Sequence, residues 1–202
     1  MTERRGGGMR HTIPHAVLLV LALTCCAAAP ALAQPGTPLN DPFAAGRWHF
    51  EVHAQGALEA WNFNTSHEQL VGIQEAVTYG LRDGLVLKAT QSISYVSQLA
   101  NDSWLLGLTA GLRGRVYRKG RCSAFFEFQV GISDTAIAAP PRGTRFNYLV
   151  TGAGGAVVRL RSRTSIVTSL QWTHVSNNSL KGPGRNPDIE AIGLTIGVLL
   201  GF

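Results

Sequence analysis

Cysteine, charge and long apolar runs are all scarce in this chain. Of its 202 residues only 3 are Cys, and two of them, Cys25 and Cys26, fall in the first 33 residues. The remainder holds one thiol, Cys122, so no intrachain disulfide can staple it. Charged residues make up 15% of the chain, against about a quarter in an average soluble domain. Past the N-terminus no apolar run approaches the ~20 residues of a spanning helix, which excludes a helical membrane protein. The 23 Gly follow no three-residue period, which excludes collagen. A mean hydropathy of +0.08 excludes a disordered tail. What remains is one Gly-rich, charge-poor domain of short segments, a description that fits a β-barrel in water or in a membrane.

The first 33 residues read as a secretory signal. Arg4, Arg5 and Arg10 precede an apolar stretch from Ala16 to Ala29, and Ala31-Leu32-Ala33 is a small-residue cleavage motif before Gln34. Its removal leaves 15 basic and 11 acidic residues, a modest positive balance suited to an anionic surface. The basic residues sit at turns rather than in one stripe, and no nucleic-acid motif is present. Residues 34–46 carry Pro35, Pro38 and Pro42 and are expected to form an irregular periplasmic leader.

From Arg47 onward a period of two dominates. In Arg47–Leu58 the even positions are Trp48, Phe50, Val52, Ala54, Gly56 and Leu58, against Arg47, His49, Glu51, His53 and Gln55. Trp104–Val116 and Cys122–Ser133 repeat the pattern, and weaker versions run through Leu70–Leu81, Leu85–Val96, Phe146–Leu160, Thr164–Ser176 and Glu190–Phe202. The total is eight strands of about 12 residues, longer than the usual ~5–6 and long enough to span a bilayer at a tilt. Tight charged turns at Arg82–Gly84, Arg118–Arg121 and Arg161–Arg163 alternate with longer loops. An even strand count, short turns on one side and long loops on the other predict an all-β, eight-stranded antiparallel transmembrane barrel over residues 47–202. The polar face then points into a lumen that side chains just fill. A soluble barrel would invert the faces and keep Glu51, Arg113 and Glu127 out of the interior.

This sorting exposes one anomaly. Ile166, Leu170 and Trp172 point outward on the seventh strand, and by the same parity so do His174 and Ser176. On the eighth strand Ile192 to Phe202 point outward by twos, and so does Glu190. Polar groups on a lipid-facing surface are costly and are functional candidates. Twelve residues separate Glu190 from Phe202, a climb of roughly 28 Å at ~45° tilt, which sets the trio at the outer interface. A His two residues from a Ser on one strand face can take its hydroxyl proton, and an acid on the next strand can fix the His tautomer.

Trp172-Thr-His174-Val-Ser176-Asn177, then Asn186-Pro187-Asp188-Ile189-Glu190, then an apolar strand to Phe202 resemble the lipid A 3-O-deacylase (PagL) family of outer-membrane acyl hydrolases. The resemblance implies a serine esterase with Ser176 as nucleophile, His174 as general base and Glu190 orienting His174. It also implies that Asn186, Asn177 and the backbone at position 179 support the oxyanion. The family usually has Gly at that last position, and here it is Ser179. Leu170, Trp172 and Ile192 are expected along the acyl groove, with Lys181 and Arg185 meeting glucosamine phosphates of lipopolysaccharide. No cofactor and no metal are expected. Phe202 resembles the signal read by the barrel-insertion machinery, and a homodimer stays open.

Other motifs have plainer readings. His49, Glu51 and His53 are expected to pack the lumen rather than bind a metal, because no further ligand set accompanies them. Gly152-Ala-Gly154-Gly155 lies within a strand with no helix after it, so it is not a phosphate loop. Two other classes are compatible with the chain: a non-enzymatic outer-membrane barrel acting as adhesin or envelope stabiliser, and a soluble lipid-binding barrel.

Overall fold

The computed structural model describes residues 41–61, 66–99, 101–182, 184 and 186–202. The expected signal, the leader as far as residue 40, and Arg185 lie outside the described residues. The strands are β1 (Trp48–Glu59), β2 (Gln69–Arg82), β3 (Leu85–Ser97), β4 (Ser103–Lys119), β5 (Cys122–Thr135), β6 (Phe146–Arg159), β7 (Thr164–Ser176) and β8 (Ile189–Gly201). Each pairs antiparallel with its sequence neighbour, and β1 pairs with β8 to close the barrel. Closure leaves no unpaired edge, as a structure in lipid requires.

β4 runs beyond the expected Trp104–Val116. A bulge between Arg115 and Tyr117 sets Val116 aside, after which pairing resumes as Tyr117↔Ala124, Arg118↔Ser123 and Lys119↔Cys122. The extra residue lets the hairpin continue past the apolar band while keeping its ladder. Gly120 closes that hairpin with a φ of 57°, and Gly84 closes the one before it with a φ of 85°, backbone values that favour Gly.

The faces sort as a membrane barrel demands. Phe126 (67% exposed), Leu194 (66%) and Val71 (64%) stand on the outside. Glu51, Arg113, Lys88 and Glu127 are buried inside. Aromatic pairs mark the two rims of the band, with Trp48 against Tyr79 (ring centroids 4.8 Å) at the turn end. Tyr95–Trp104 (5.4 Å) and Phe146–Tyr148 (6.1 Å) lie at the loop end. This is the girdle arrangement of outer-membrane barrels.

The lumen is layered rather than uniformly polar, which corrects the simple two-face expectation. At its centre Arg113 donates to Glu51 through Nη1 (2.5 Å) and Nη2 (2.9 Å) and to Glu127 through Nε (2.7 Å). Lys88 Nζ lies 3.1 Å from Glu127 and 3.3 Å from Glu51. His53 Nε2 is 2.9 Å from Glu51 Oε2. Two acids and two bases therefore neutralise one another, which is what buried charges require. His49, Glu51 and His53 do not form a ligand cluster with any further donor among the described residues. Toward the loops, Gln55, Gln74, Thr90, Gln129 and Gln171 line a cavity of about 30 Å³, room for a water. Apolar caps close both ends: Leu70, Val96, Leu105, Leu149, Val175 and Ile189 at the loop end, and Val86, Phe125, Val157, Val167 and Leu199 with Phe43 at the turn end.

Phe43 belongs to the expected leader, whose described part is anything but loose. Its ring is fully buried, 6.4 Å from Phe125 and under the Arg115 guanidinium. Asp41 accepts from Arg115 (2.8 Å) and Arg118 (2.9 Å), and Gly84 N donates to Phe43 O. Burial acts to raise the Asp41 carboxyl. The Arg115 hydrogen bond, the Phe43 N–H and the charges of Arg115 and Arg118 outweigh it and hold that carboxyl below its usual value.

Within the Gly-rich run of β6, crowding demands Gly at position 155. Gly155 faces inward, and a Cβ there would sit 2.3 Å from Thr168 O and 2.6 Å from Ser169 Cβ.

Candidate active site on the outer wall

The β7–β8 register sets His174 opposite Glu190, Trp172 opposite Ile192 and Leu170 opposite Leu194. The residues between them, Thr173, Val175, Ile189 and Ala191, are buried. The alternation thus carries His174 and Glu190 on the outer wall at the loop end. They are not bare to lipid: the His174 side chain is 24% exposed and Glu190 14%. Ser176 ends β7 on the same face at 8% exposure, pairing with Tyr148 of β6.

The hydrogen bonds have a direction. His174 Nδ1 lies 2.6 Å from Glu190 Oε1. A carboxylate only accepts, so Nδ1 carries the proton and Nε2 is left as the acceptor. Trp172 Nε1 donates to the other oxygen, Oε2, at 2.5 Å. The Trp172 ring also stacks on His174 at 5.9 Å and 23°. Beyond what the sequence indicates for Trp172, its ring holds the acid and the imidazole in place. Ser176 Oγ accepts from Asn178 N at 3.3 Å, which leaves its own O–H uncommitted. A hydroxyl with a proton to give and a ring nitrogen able to take it therefore share one strand face, two residues apart, with no hydrogen bond joining them among the described residues.

The loop after Ser176 is held in an unusual path. Asn178 and Ser179 have φ of 50° and 59°, both in the left-handed region that non-Gly residues seldom enter. Ser179 thus keeps the backbone sense that a Gly would adopt freely. Such strain concentrates at functional sites. Asn177 is buried; its N donates to Asn186 Oδ1 (2.9 Å) and its Nδ2 to Thr144 Oγ1 (3.0 Å). The first bond orients Asn186 so that its NH₂ remains a donor. The second ties the 177–188 loop to the 136–145 loop, a partner no sequence pattern indicated.

Between these loops lies a groove of about 340 Å³, lined by Thr144, Arg145, Phe146, Asn177, Leu180 and Lys181. Lys181 lines this groove, while Arg185 lies outside the described residues. Arg145 comes from another loop and lines the groove too, with Nη2 3.2 Å from Asp134 and Nε donating to Thr135 O. Leu170 and Ile192 line the apolar wall below.

His174, Asp188 and Glu190 offer one ligand atom each within 4.8 Å of one another. Two ligands of one tetrahedral ion with ~2.0–2.1 Å bonds stand about 3.4 Å apart. The 2.6 Å between His174 Nδ1 and Glu190 Oε1 is a hydrogen bond instead.

Known folds place the whole in a class. The crystal structure of Neisserial surface protein A (NspA) superposes with a TM-score of 0.59 at 8% identity, covering 77% of this chain and 97% of that one. The outer membrane protein OprG from Pseudomonas aeruginosa gives 0.51 at 11% identity, covering 79% and 97%. The outer membrane enzyme PagL gives 0.48 at 14%, covering 72% and 97%. No protein-family model matches the chain, and no curated protein matches it significantly. The apolar outer wall, the charged lumen and these folds together define an eight-stranded antiparallel β-barrel of the bacterial outer membrane.

Proposed function

We propose that this barrel is an outer-membrane serine esterase that hydrolyses the 3-O-linked acyl chain of lipid A. The observation carrying the reading is the Glu190–His174 hydrogen bond on the lipid-facing wall, two residues from a Ser whose proton is uncommitted. In water such a triad would need a cleft; here the substrate is itself the outer leaflet and arrives sideways.

Ser176 Oγ attacks the ester carbonyl carbon while its proton passes to His174 Nε2, and Glu190 stabilises the imidazolium. The Asn186 NH₂ and the backbone N–H of Ser179 stand as donors for the oxyanion, the N–H groups of Asn177, Asn178 and Leu180 being already bonded. The sugar oxygen leaves with the proton from His174, and the acyl group stays on Ser176. Water then attacks the acyl carbon, giving its proton to His174, which passes it to Ser176 Oγ as the bond to the acyl group breaks and the free fatty acid departs.

The wall below the site suits an acyl chain. Small residues face outward on β6, where Gly152 lies opposite Trp172 and Gly154 opposite Leu170. On the other side they meet Phe128 and Phe126. The result is a shallow channel between two bulky rows, running from the triad toward the membrane centre. Arg145 and Lys181 stand at the groove above, where phosphorylated glucosamines would lie.

Lipid A mass spectrometry on cells expressing the wild type and Ser176→Ala tests the reading. The wild type should release the 3-O-acyl chain, and the variant should fall by at least roughly 10³-fold while remaining a heat-modifiable barrel. Deacylation undiminished in Ser176→Ala would overturn the mechanism. No deacylation by either form would favour a non-enzymatic barrel.

A further inference from the structure

The turn end of the barrel carries a second feature, about as far from the triad as the molecule allows. The β4–β5 hairpin ends in Arg118, Lys119, Gly120 and Arg121, and the β6–β7 hairpin in Arg159, Leu160, Arg161, Ser162 and Arg163. Pairing of β5 with β6 sets the two hairpins side by side: Cys122 is opposite Val158, and Arg159 N donates to Arg121 O at 3.0 Å. Arg159 Nη2 also donates to Gly120 O at 2.5 Å, which fixes one guanidinium and leaves its other N–H groups as donors. Between the hairpins opens a groove of about 260 Å³, lined by Arg121, Arg159, Leu160, Arg161 and Ser162.

Among the described residues, no carboxylate comes within ion-pairing distance of Arg121, Arg159 or Arg161. Asp41 is already shared by Arg115 and Arg118, and Asp83 accepts from Ala45 N. Three guanidiniums facing one groove without a counter-charge fit a phosphate, which takes their forked N–H groups two at a time.

The surroundings choose the kind of phosphate. Leu160 lines the groove and is 47% exposed, and on the outer wall nearby Tyr117 (58%) and Val116 (60%) are exposed as well. An apolar flank beneath a cationic mouth matches a molecule with a charged head and fatty tails. The short-turn end of an outer-membrane barrel is periplasmic, so the leaflet it meets is the inner one.

From the two hairpins we propose that this groove is a binding site for the phosphate of an anionic glycerophospholipid in the inner leaflet. Arg121 and Arg161 grip the head, Arg159 sets its position and Leu160 meets the first methylenes. The site is independent of the esterase reading and stands or falls separately from it.

The test is native mass spectrometry of the purified barrel in detergent, counting bound phosphatidylglycerol or phosphatidylcholine added at equal concentration. The wild type should retain phosphatidylglycerol in preference. Arg121→Gln/Arg161→Gln should retain it roughly tenfold less or worse. Arg121→Lys/Arg161→Lys should keep part of it, and Arg82→Gln/Arg142→Gln, with the same charge loss elsewhere, should keep all of it. Heat-modifiability on gels reports folding, and the single Arg161→Gln, in an exposed turn, serves if the double variant misfolds. Equal retention of both lipids, no loss in the Gln variants, or an equal loss in Arg82→Gln/Arg142→Gln overturns the proposal. A soluble arm with glycerol 3-phosphate separates the sources: binding as tight as the lipid's overturns the lipid assignment in favour of a free phosphate ester.

Discussion

Two polar clusters on this barrel are each built around glutamate and come to opposite ends. In the lumen Glu51, Glu127, Arg113 and Lys88 are almost wholly buried and saturate one another. On the outer wall His174 and Glu190 are partly open, Ser176 is buried beside them, and capacity is left over: a serine proton, an imidazole acceptor and an Asn186 amide. Full satisfaction stiffens a scaffold, because a buried charge without a partner is heavily penalised. Incomplete satisfaction at a half-open surface leaves something for a substrate to complete. The bulk chemistry of each cluster says little; the remaining donors and acceptors separate the strut from the proposed reaction centre.

The contrast can be broken from either side. The largest effect should come from the acid of the outer cluster. Glu190→Gln preserves shape but lets the imidazole settle in the wrong tautomer, so deacylation should fall by about 10²–10⁴-fold. Unfolding in urea should shift little, and a matching loss of stability would mean that Glu190 is structural. The lumen should answer in the reverse way. Arg113→Ala leaves two buried carboxylates to share Lys88 and His53 and should remove about 3–5 kcal/mol of folding stability, measured by urea unfolding in lipid vesicles, while any folded fraction keeps its per-molecule activity.

Next comes the clamp under the barrel. Asp41→Asn should cost about 1.5–3 kcal/mol, the range for hydrogen bonds to charged groups. Acid should reproduce this loss. The Asp41 carboxyl is held below its free value in the folded state, so its contribution is complete above about pH 4 and fades as the pH falls through the lowered value. The Asn variant should lose that acid sensitivity in a melting series, and an unchanged pH profile would remove Asp41 as its cause. The smallest effect should be in the channel. A Cβ on Gly152 would meet Trp172 Cε3 at 3.6 Å, an ordinary contact, so Gly152→Leu should fold. It should shift deacylation toward shorter acyl chains by a few-fold, roughly the discrimination a methylene or two provides. An unchanged chain-length profile would place the acyl chain elsewhere.

Much of the architecture was legible in the residue order. β7 was expected over Thr164–Ser176 and is found there, and β8 is offset by a single residue. Eight strands, their antiparallel order and the outward facing of His174 and Glu190 all follow from a period of two, because parity along a strand is a local property. β4 was less legible, since a bulge at Arg115/Tyr117 breaks parity without a break in composition. The apolar ends of the lumen escaped notice for another reason. There both faces are apolar, and alternation carries no signal.

The sequence by itself determined the class of molecule. Alternation, turn lengths and scarce charge suffice for a membrane barrel, because lipid outside and a narrow lumen inside impose opposite chemistries on successive residues. It also determined that His174, Ser176 and Glu190 share a wall. Only the tertiary structure decided how those groups are used. The register across β7 and β8 gave Glu190 both His174 and Trp172, and the meeting of two distant loops gave Asn177 its Thr144 and set Arg145 beside Lys181. The fold brought Asp41 to Arg115 and Arg118, and among the described residues no carboxylate pairs with Arg121, Arg159 or Arg161. Contacts between segments far apart in the chain depend on closure of the sheet, and closure is a property of all eight strands together.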